Sequence, residues 1–117
     1  MEKLLLVERN PLFGEGLATL LEWQTGLSSV RAGSLAEAKG LLEEANHKPA
    51  CIIVDLDLPD GEANELLKEL DGIPVLALIK GRSLLRQAEA MELGADEVLR
   101  IGAVEKIAAA VERLIGR

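Results

Sequence analysis

A chain of 117 residues with 20 acidic and 13 basic side chains, a formal charge of -7 and 49% hydrophobic residues has the size and composition of one soluble globular domain, residues 1–117. That composition excludes a disordered chain, and the net charge opposes a phosphate backbone. Phe13 and Trp23 are too few aromatics for a base-stacking platform, so nucleic acid is not an expected direct ligand.

The opening MEKLLLV is too short an apolar run for a signal peptide, and no run approaches a membrane span, so a cytoplasmic location without membrane contact is expected. KLLLV at 3–7 reads as a first strand, followed by a helix from Pro11 whose apolar stripe is Leu12, Phe13, Gly16, Leu17, Leu20 and Leu21. SSVRA at 28–32 is a weaker strand, and a Ser34–Glu37 capping box then opens a helix with its stripe on Leu35, Ala38, Leu41, Leu42 and Ala45. His47, at that helix's end, has no partner cluster and reads as solvated or capping.

CIIV at 51–54 is a strand apolar on both faces, and its lone Cys51 reads as a buried, inert thiol. A third helix carries Ala63, Leu66, Leu67 and Leu70. IPVLALI at 73–79 follows as a strand, then a helix striped by Leu84, Ala88 and Met91, then EVLRI at 97–101. A last helix places Val104, Ile107, Ala108, Val111, Leu114 and Ile115 on one face. This βαβαβαβαβα alternation predicts an α/β fold with a doubly wound, five-stranded parallel sheet and helices on both faces. In such sheets ligands bind where strands end, beside the switch in strand order.

Strand 1 ends in Glu8, Arg9 and Asn10, and strand 3 in Asp55 and Asp57. If these strands are neighbours, Glu8 and Asp55 face each other, and the acids repel unless a cation or a proton intervenes. Such oxygen ligands suit Mg²⁺. Asp55, placed directly after IIV, is desolvated and needs a partner. Asp57 or Asp60 reads as a cap for the helix starting near Gly61, a reading that prevails for Asp60, while Pro59 and Gly61 shape a turn.

The chain resembles, over essentially its whole length, the receiver domains of bacterial response regulators, the two-component phosphorelay modules that accept a phosphoryl group on an aspartate from a histidine kinase. LLLVERNPLFGEGLATLLE is similar to the opening of receivers that precede DNA-binding domains, VDLDLPDG to the phosphoacceptor loop, IPVLAL to the fourth strand and ELGADEVL to the entry of the fifth. The resemblance implies a flavodoxin-like (βα)5 fold with strand order 2-1-3-4-5. It places Asp55 at the phosphoacceptor position and Glu8 at the first residue of an acidic pair. The backbone oxygen of Asp57 falls where the family lends one to Mg²⁺.

Four positions depart. Arg9 replaces the second acid, the direct metal ligand, and weakens Mg²⁺ binding, since a guanidinium cannot ligate a metal. Ile79 stands where the family has a Thr or Ser hydroxyl, Ile101 where it has a lysine, and Val98 where it has an aromatic switch residue. Arg100, by a bulge, and Lys80 are candidate replacements for the lysine.

The resemblance therefore implies a degenerate, or pseudo-, receiver with weak or absent phosphorylation-dependent switching and no required cofactor. Any metal would rest on Glu8, Asp55 and the backbone of Asp57, and Arg9 is expected to stand in for the cation near Glu8 and Asp55. Expected partners are a histidine kinase or another signalling protein, or a second copy docking through helix 4, strand 5 and helix 5. That face would draw on Arg82, Arg86, Glu89, Glu92, Glu105, Lys106, Glu112 and Arg113.

A conventional receiver phosphorylated on Asp55 is the alternative. An enzyme is not expected: Asp-x-Asp resembles haloacid-dehalogenase phosphatases and, with Glu8, toprim enzymes. The phosphatases, however, carry that motif on their first strand, and a toprim site would want EG where this chain has ER.

Overall fold

The computed structural model describes residues 2–44 and 48–116, so Ala45 and His47 lie outside the described residues. Five parallel strands form one sheet: β1 (Lys3–Val7), β2 (Ser28–Ala32), β3 (Cys51–Asp55), β4 (Val75–Ile79) and β5 (Glu97–Arg100), in the order β2-β1-β3-β4-β5. This is the expected flavodoxin-like order. Every residue of β3 and β4 is buried, which is why those segments are apolar throughout rather than alternating. β4 starts after Pro74, which has no N–H to give the ladder, and not at Ile73. β3 runs one residue past the expected apolar stretch, because Asp55 still pairs with Leu78.

Helices α1 (Pro11–Thr25) and α5 (Val104–Leu114) cover one face, over a core that includes Leu4, Leu6, Ile53, Leu76 and Leu78. Helices α2 (Leu35–Glu44), α3 (Asn64–Leu67) and α4 (Leu84–Glu92) cover the other, over Leu5, Val7, Ile52, Val54 and Ala77. The split follows from the two-residue period of the strands. Asn10 caps α1 by accepting from Phe13 N at 3.1 Å, and Gly26 closes it in the left-handed region at φ 74°.

Three expected helix patterns are corrected. In α1 the inward face is Gly14, Leu17, Ala18, Leu21 and Thr25, while Leu12 is 82% exposed and Gly16 also faces out. The third helix keeps its buried Ala63, Leu66 and Leu67 but lasts only one turn. Gly61–Glu62 pairs back onto Asp57–Leu58 as a two-residue antiparallel ribbon, which takes up the chain the helix was expected to use. In α4 the stripe Leu84, Ala88 and Met91 faces solvent, and the buried residue is Ala90.

Candidate functional site

The register Val7↔Val54 between β1 and β3 sets the next residues, Glu8 and Asp55, side by side at the carboxyl edge of the sheet. Both are buried, Asp55 completely and Glu8 to 6% exposure. One oxygen of each has a donor: Glu8 Oε1 accepts from Asn10 N at 3.0 Å, and Asp55 Oδ1 accepts from Asp57 N at 2.9 Å. The other two, Glu8 Oε2 and Asp55 Oδ2, are buried with no donor.

Two buried acceptors that face each other call for a proton or a cation. Burial, with the charge of Asp55 adding to it, pushes the Glu8 carboxyl from an ordinary 4.5 up to about 7, against the opposing pull of the Asn10 N–H. A proton held on Glu8 and donated to Asp55 satisfies both orphaned oxygens.

Asp57 does not contribute its acid to this pair. Its carboxylate meets the Arg86 guanidinium of α4 in a two-pronged contact, Nη1 to Oδ2 at 3.0 Å and Nη2 to Oδ1 at 2.9 Å. That pairing holds the Asp57 carboxyl below the usual carboxylate range, with Lys80 and Arg9 adding smaller pulls in the same direction. The sequence assigned Asp57 chiefly a backbone role and gave Arg86 only a surface one. Their partnership spans 29 residues and leaves no local signal.

Arg9 is exposed and lines a cavity of about 220 Å³ together with Glu8, Pro11, Arg31 and Glu37. Among the described residues the ion pairs are Lys39–Glu69, Arg86–Asp57 and Arg113–Glu97, and Arg9 enters none of them. Lys80 is exposed just past β4, where its charge is felt by both Glu8 and Asp57, and Arg100 is exposed opposite Ile79.

Ile79 is 1% exposed in the core beneath α2 to α4, half-buried Val98 packs against that same core, and Ile101 packs on the α1/α5 side. None of the three brings a polar group. Asp60 caps a different helix from the one expected: Oδ1 and Oδ2 accept from Leu35 N and Ala36 N at 2.8 and 3.0 Å, tying the loop after β3 to α2. Beside it Ser34 Oγ accepts from Glu37 N at 3.1 Å, while Glu37 Oε2 accepts from Gly33 N at 3.2 Å and so closes the expected box one residue early.

Mg²⁺ is held through one or two carboxylates and keeps several waters. Glu8 and Asp55 supply two carboxylates, Asp57 spends its own on Arg86, and among the described residues no group of three or more His, Cys, Asp or Glu gathers as a metal cluster.

No family profile matches the chain. The KDP operon transcriptional regulatory protein KdpE of Escherichia coli (strain K12) is 35% identical over 102 residues, which make up 85% of this chain and 44% of that protein, so the chain spans less than half the length of this relative. A response regulator protein from Burkholderia pseudomallei, solved with a phosphorylated aspartic acid, calcium ion and citrate, is 28% identical with a TM-score of 0.84, covering 98% of this chain and 69% of that one. The response regulator receiver domain protein from Clostridium thermocellum superposes with a TM-score of 0.88 at 23% identity, covering 100% and 96% of the two chains. With the strand order 2-1-3-4-5, the acid pair at the ends of β1 and β3 and these likenesses together, the chain is a receiver domain of the two-component response regulators.

Proposed function

We propose that this receiver works through protein contacts, with phosphorylation-driven switching weak or absent. The observation that carries the reading is Ile79, a wholly apolar side chain 1% exposed at the end of β4. Ile101, packed toward α1 and α5, likewise offers nothing to a phosphoryl group. A ligand shifts a conformational equilibrium only by interacting differently with its two states, and these positions supply no such difference.

In this reading the chain is a non-enzymatic, cytoplasmic signalling module with no cofactor, and no helix among the described residues is long and apolar enough to cross a membrane. Its partner is a histidine kinase, another signalling protein or a second copy. The docking face is built from α4, β5 and α5. There Leu84, Leu85 and Met91 are 79%, 69% and 49% exposed, among the exposed charges Arg82, Glu89, Glu92, Glu105 and Lys106. Arg113 and Glu112 are already engaged within the chain, with Glu97 and Gln24.

The second reading, a conventional phosphoacceptor at Asp55, draws on the intact Asp55–Asp57 loop and on the phosphorylated aspartic acid of the Burkholderia pseudomallei relative. One experiment separates the two. The protein is incubated with acetyl phosphate and Mg²⁺, its intact mass is measured, and its assembly state is followed by light scattering. The expected result is little phosphoryl increment and unchanged assembly. Stoichiometric labelling that disappears in Asp55→Asn, accompanied by a change of assembly, overturns the first reading in favour of the second.

A further inference from the structure

Helix α4 is held to the domain unlike its neighbours. It buries a single residue, Ala90, whereas α1 buries five and α5 four. It is flanked by two glycines in the left-handed region, Gly81 at φ 79° and Gly94 at φ 119°, so the chain bends sharply at both of its ends. Its outer surface carries Leu84, Leu85 and Met91, three of the large apolar side chains the domain leaves in water. Against so little burial, the two-pronged contact from Arg86 to Asp57 is a direct side-chain link between this helix and the loop after β3.

We propose that the Arg86–Asp57 ion pair is a latch that fixes α4 against the β3 loop and so sets the arrangement of the exposed Leu84, Leu85 and Met91 surface. A planar guanidinium meeting both oxygens of a carboxylate fixes direction as well as distance, which a single contact would not. Asp57 is itself fixed, because its N–H is bonded to the buried Asp55. The chain of connection is short: Asp55 in the sheet, Asp57 two residues further on, Arg86, then the apolar face of α4.

The pair is open to solvent, its side chains 31% and 39% exposed, so salt reaches it. Electrostatic attraction at such a site is largely screened at about 1 M salt, where the Debye length is about 3 Å. Elements with few buried contacts open locally without global unfolding, so α4 can respond while the sheet stays intact.

The test is amide hydrogen exchange over residues 84–93, together with methyl NMR of Leu84, Leu85 and Met91, in the wild type, Arg86→Gln, Asp57→Asn and the double variant. Both residues lie outside the core, and exchange in β3 and β4 reports whether each variant stays folded. Each single variant is expected to speed α4 exchange about fivefold, the double variant no more than either, and Arg86→Lys to recover part of the protection. The Met91 methyl, five residues from the altered charge and exposed, is expected to shift in both single variants. In the wild type about 1 M NaCl should speed α4 exchange, and in Arg86→Gln it should not. Unchanged α4 exchange in both single variants, an unmoved Met91 methyl, or equal salt sensitivity in the wild type and Arg86→Gln overturns the latch.

Discussion

Replacing Glu8 with Gln should make the domain more stable above neutral pH. In the folded chain burial and the neighbouring Asp55 push the Glu8 carboxyl from 4.5 up to about 7. Between those values the folded state keeps a proton that the unfolded state has released. Folding therefore takes up a proton, and stability falls as pH rises through this window, the loss being complete above about 7. At about 1.36 kcal/mol for each tenfold change in proton affinity, the whole loss from this group is about 3 kcal/mol. Gln is isosteric with the protonated acid, so its Oε1 can keep the Asn10 N–H now bonded to Glu8 Oε1, and its Nε2 can donate to the orphaned Asp55 Oδ2.

Urea unfolding of Glu8→Gln and wild type at pH 5 and pH 8 measures the effect. The two should be close at pH 5, and the variant should be more stable by about 2–3 kcal/mol at pH 8, equivalent to about 10 °C in Tm. Titrating groups remote from Glu8 are common to both proteins and cancel in the difference, unlike Asp55, whose charge acts on Glu8, and Asp57 with its Arg86-lowered carboxyl titrates only in more acidic solution. Parallel curves from pH 5 to 8 would refute the shared proton and leave the two buried oxygens unexplained.

Cys51 is fully buried, and burial pushes its thiol up to about 12, so a disulfide reagent should leave it untouched in the native protein and label it at the rate of unfolding. Ile79→Thr removes packing and buries a hydroxyl, which should lower stability by roughly 2–4 kcal/mol in urea unfolding. If the missing hydroxyl is what limits phosphorylation, the same variant should raise the phosphoryl increment from acetyl phosphate. Asp60→Ala removes both acceptors at the start of α2, so amide exchange there should quicken and Tm should fall. Because those N–H groups hold the Asp60 carboxyl below its usual range, the wild type should lose this support only as pH drops through that lowered range.

The sheet was legible in the sequence because burial on both faces writes itself as unbroken apolar runs, as in CIIV and VLALI. The neighbouring of Glu8 and Asp55 followed from the same reading, since a parallel register of β1 and β3 leaves those residues no other place. Helices were harder. In α4 a regular apolar spacing points to water, because periodicity shows that a helix has an apolar face but not what that face meets. α3 shrank because Gly61 and Glu62 found backbone partners in Asp57 and Leu58, a pairing with no hydrophobic signature. The partners of Asp57 and Asp60 lie more than 20 residues away in sequence, at Arg86, Leu35 and Ala36, so their roles depend on the finished fold.

Of the chain's own groups, a proton on Glu8 offsets more of the pocket's charge than Arg9 does. An exposed guanidinium acts on its neighbours through water, at roughly 1 kcal/mol for a unit charge 4 Å away, and Arg9 is exposed and unpaired among the described residues. The desolvation of Glu8 is larger, enough to lift its titration to about 7 against the favourable pulls of Asn10 N–H and Lys80. A cation at the rim therefore tunes the pocket without neutralising it, while burial lets Glu8 keep its proton up to about pH 7. Arg86 reaches Asp57 with both prongs and so keeps the Asp57 carboxylate out of the Glu8–Asp55 pair. A receiver arranged in this way has the neighbour of Asp55 titrating at about 7, Asp57 engaged by α4, and no hydroxyl at Ile79. On the proposed reading, in which Asp55 is a weak phosphoacceptor, each of these acts by a separate route, so restoring one alone should recover only part of its reactivity.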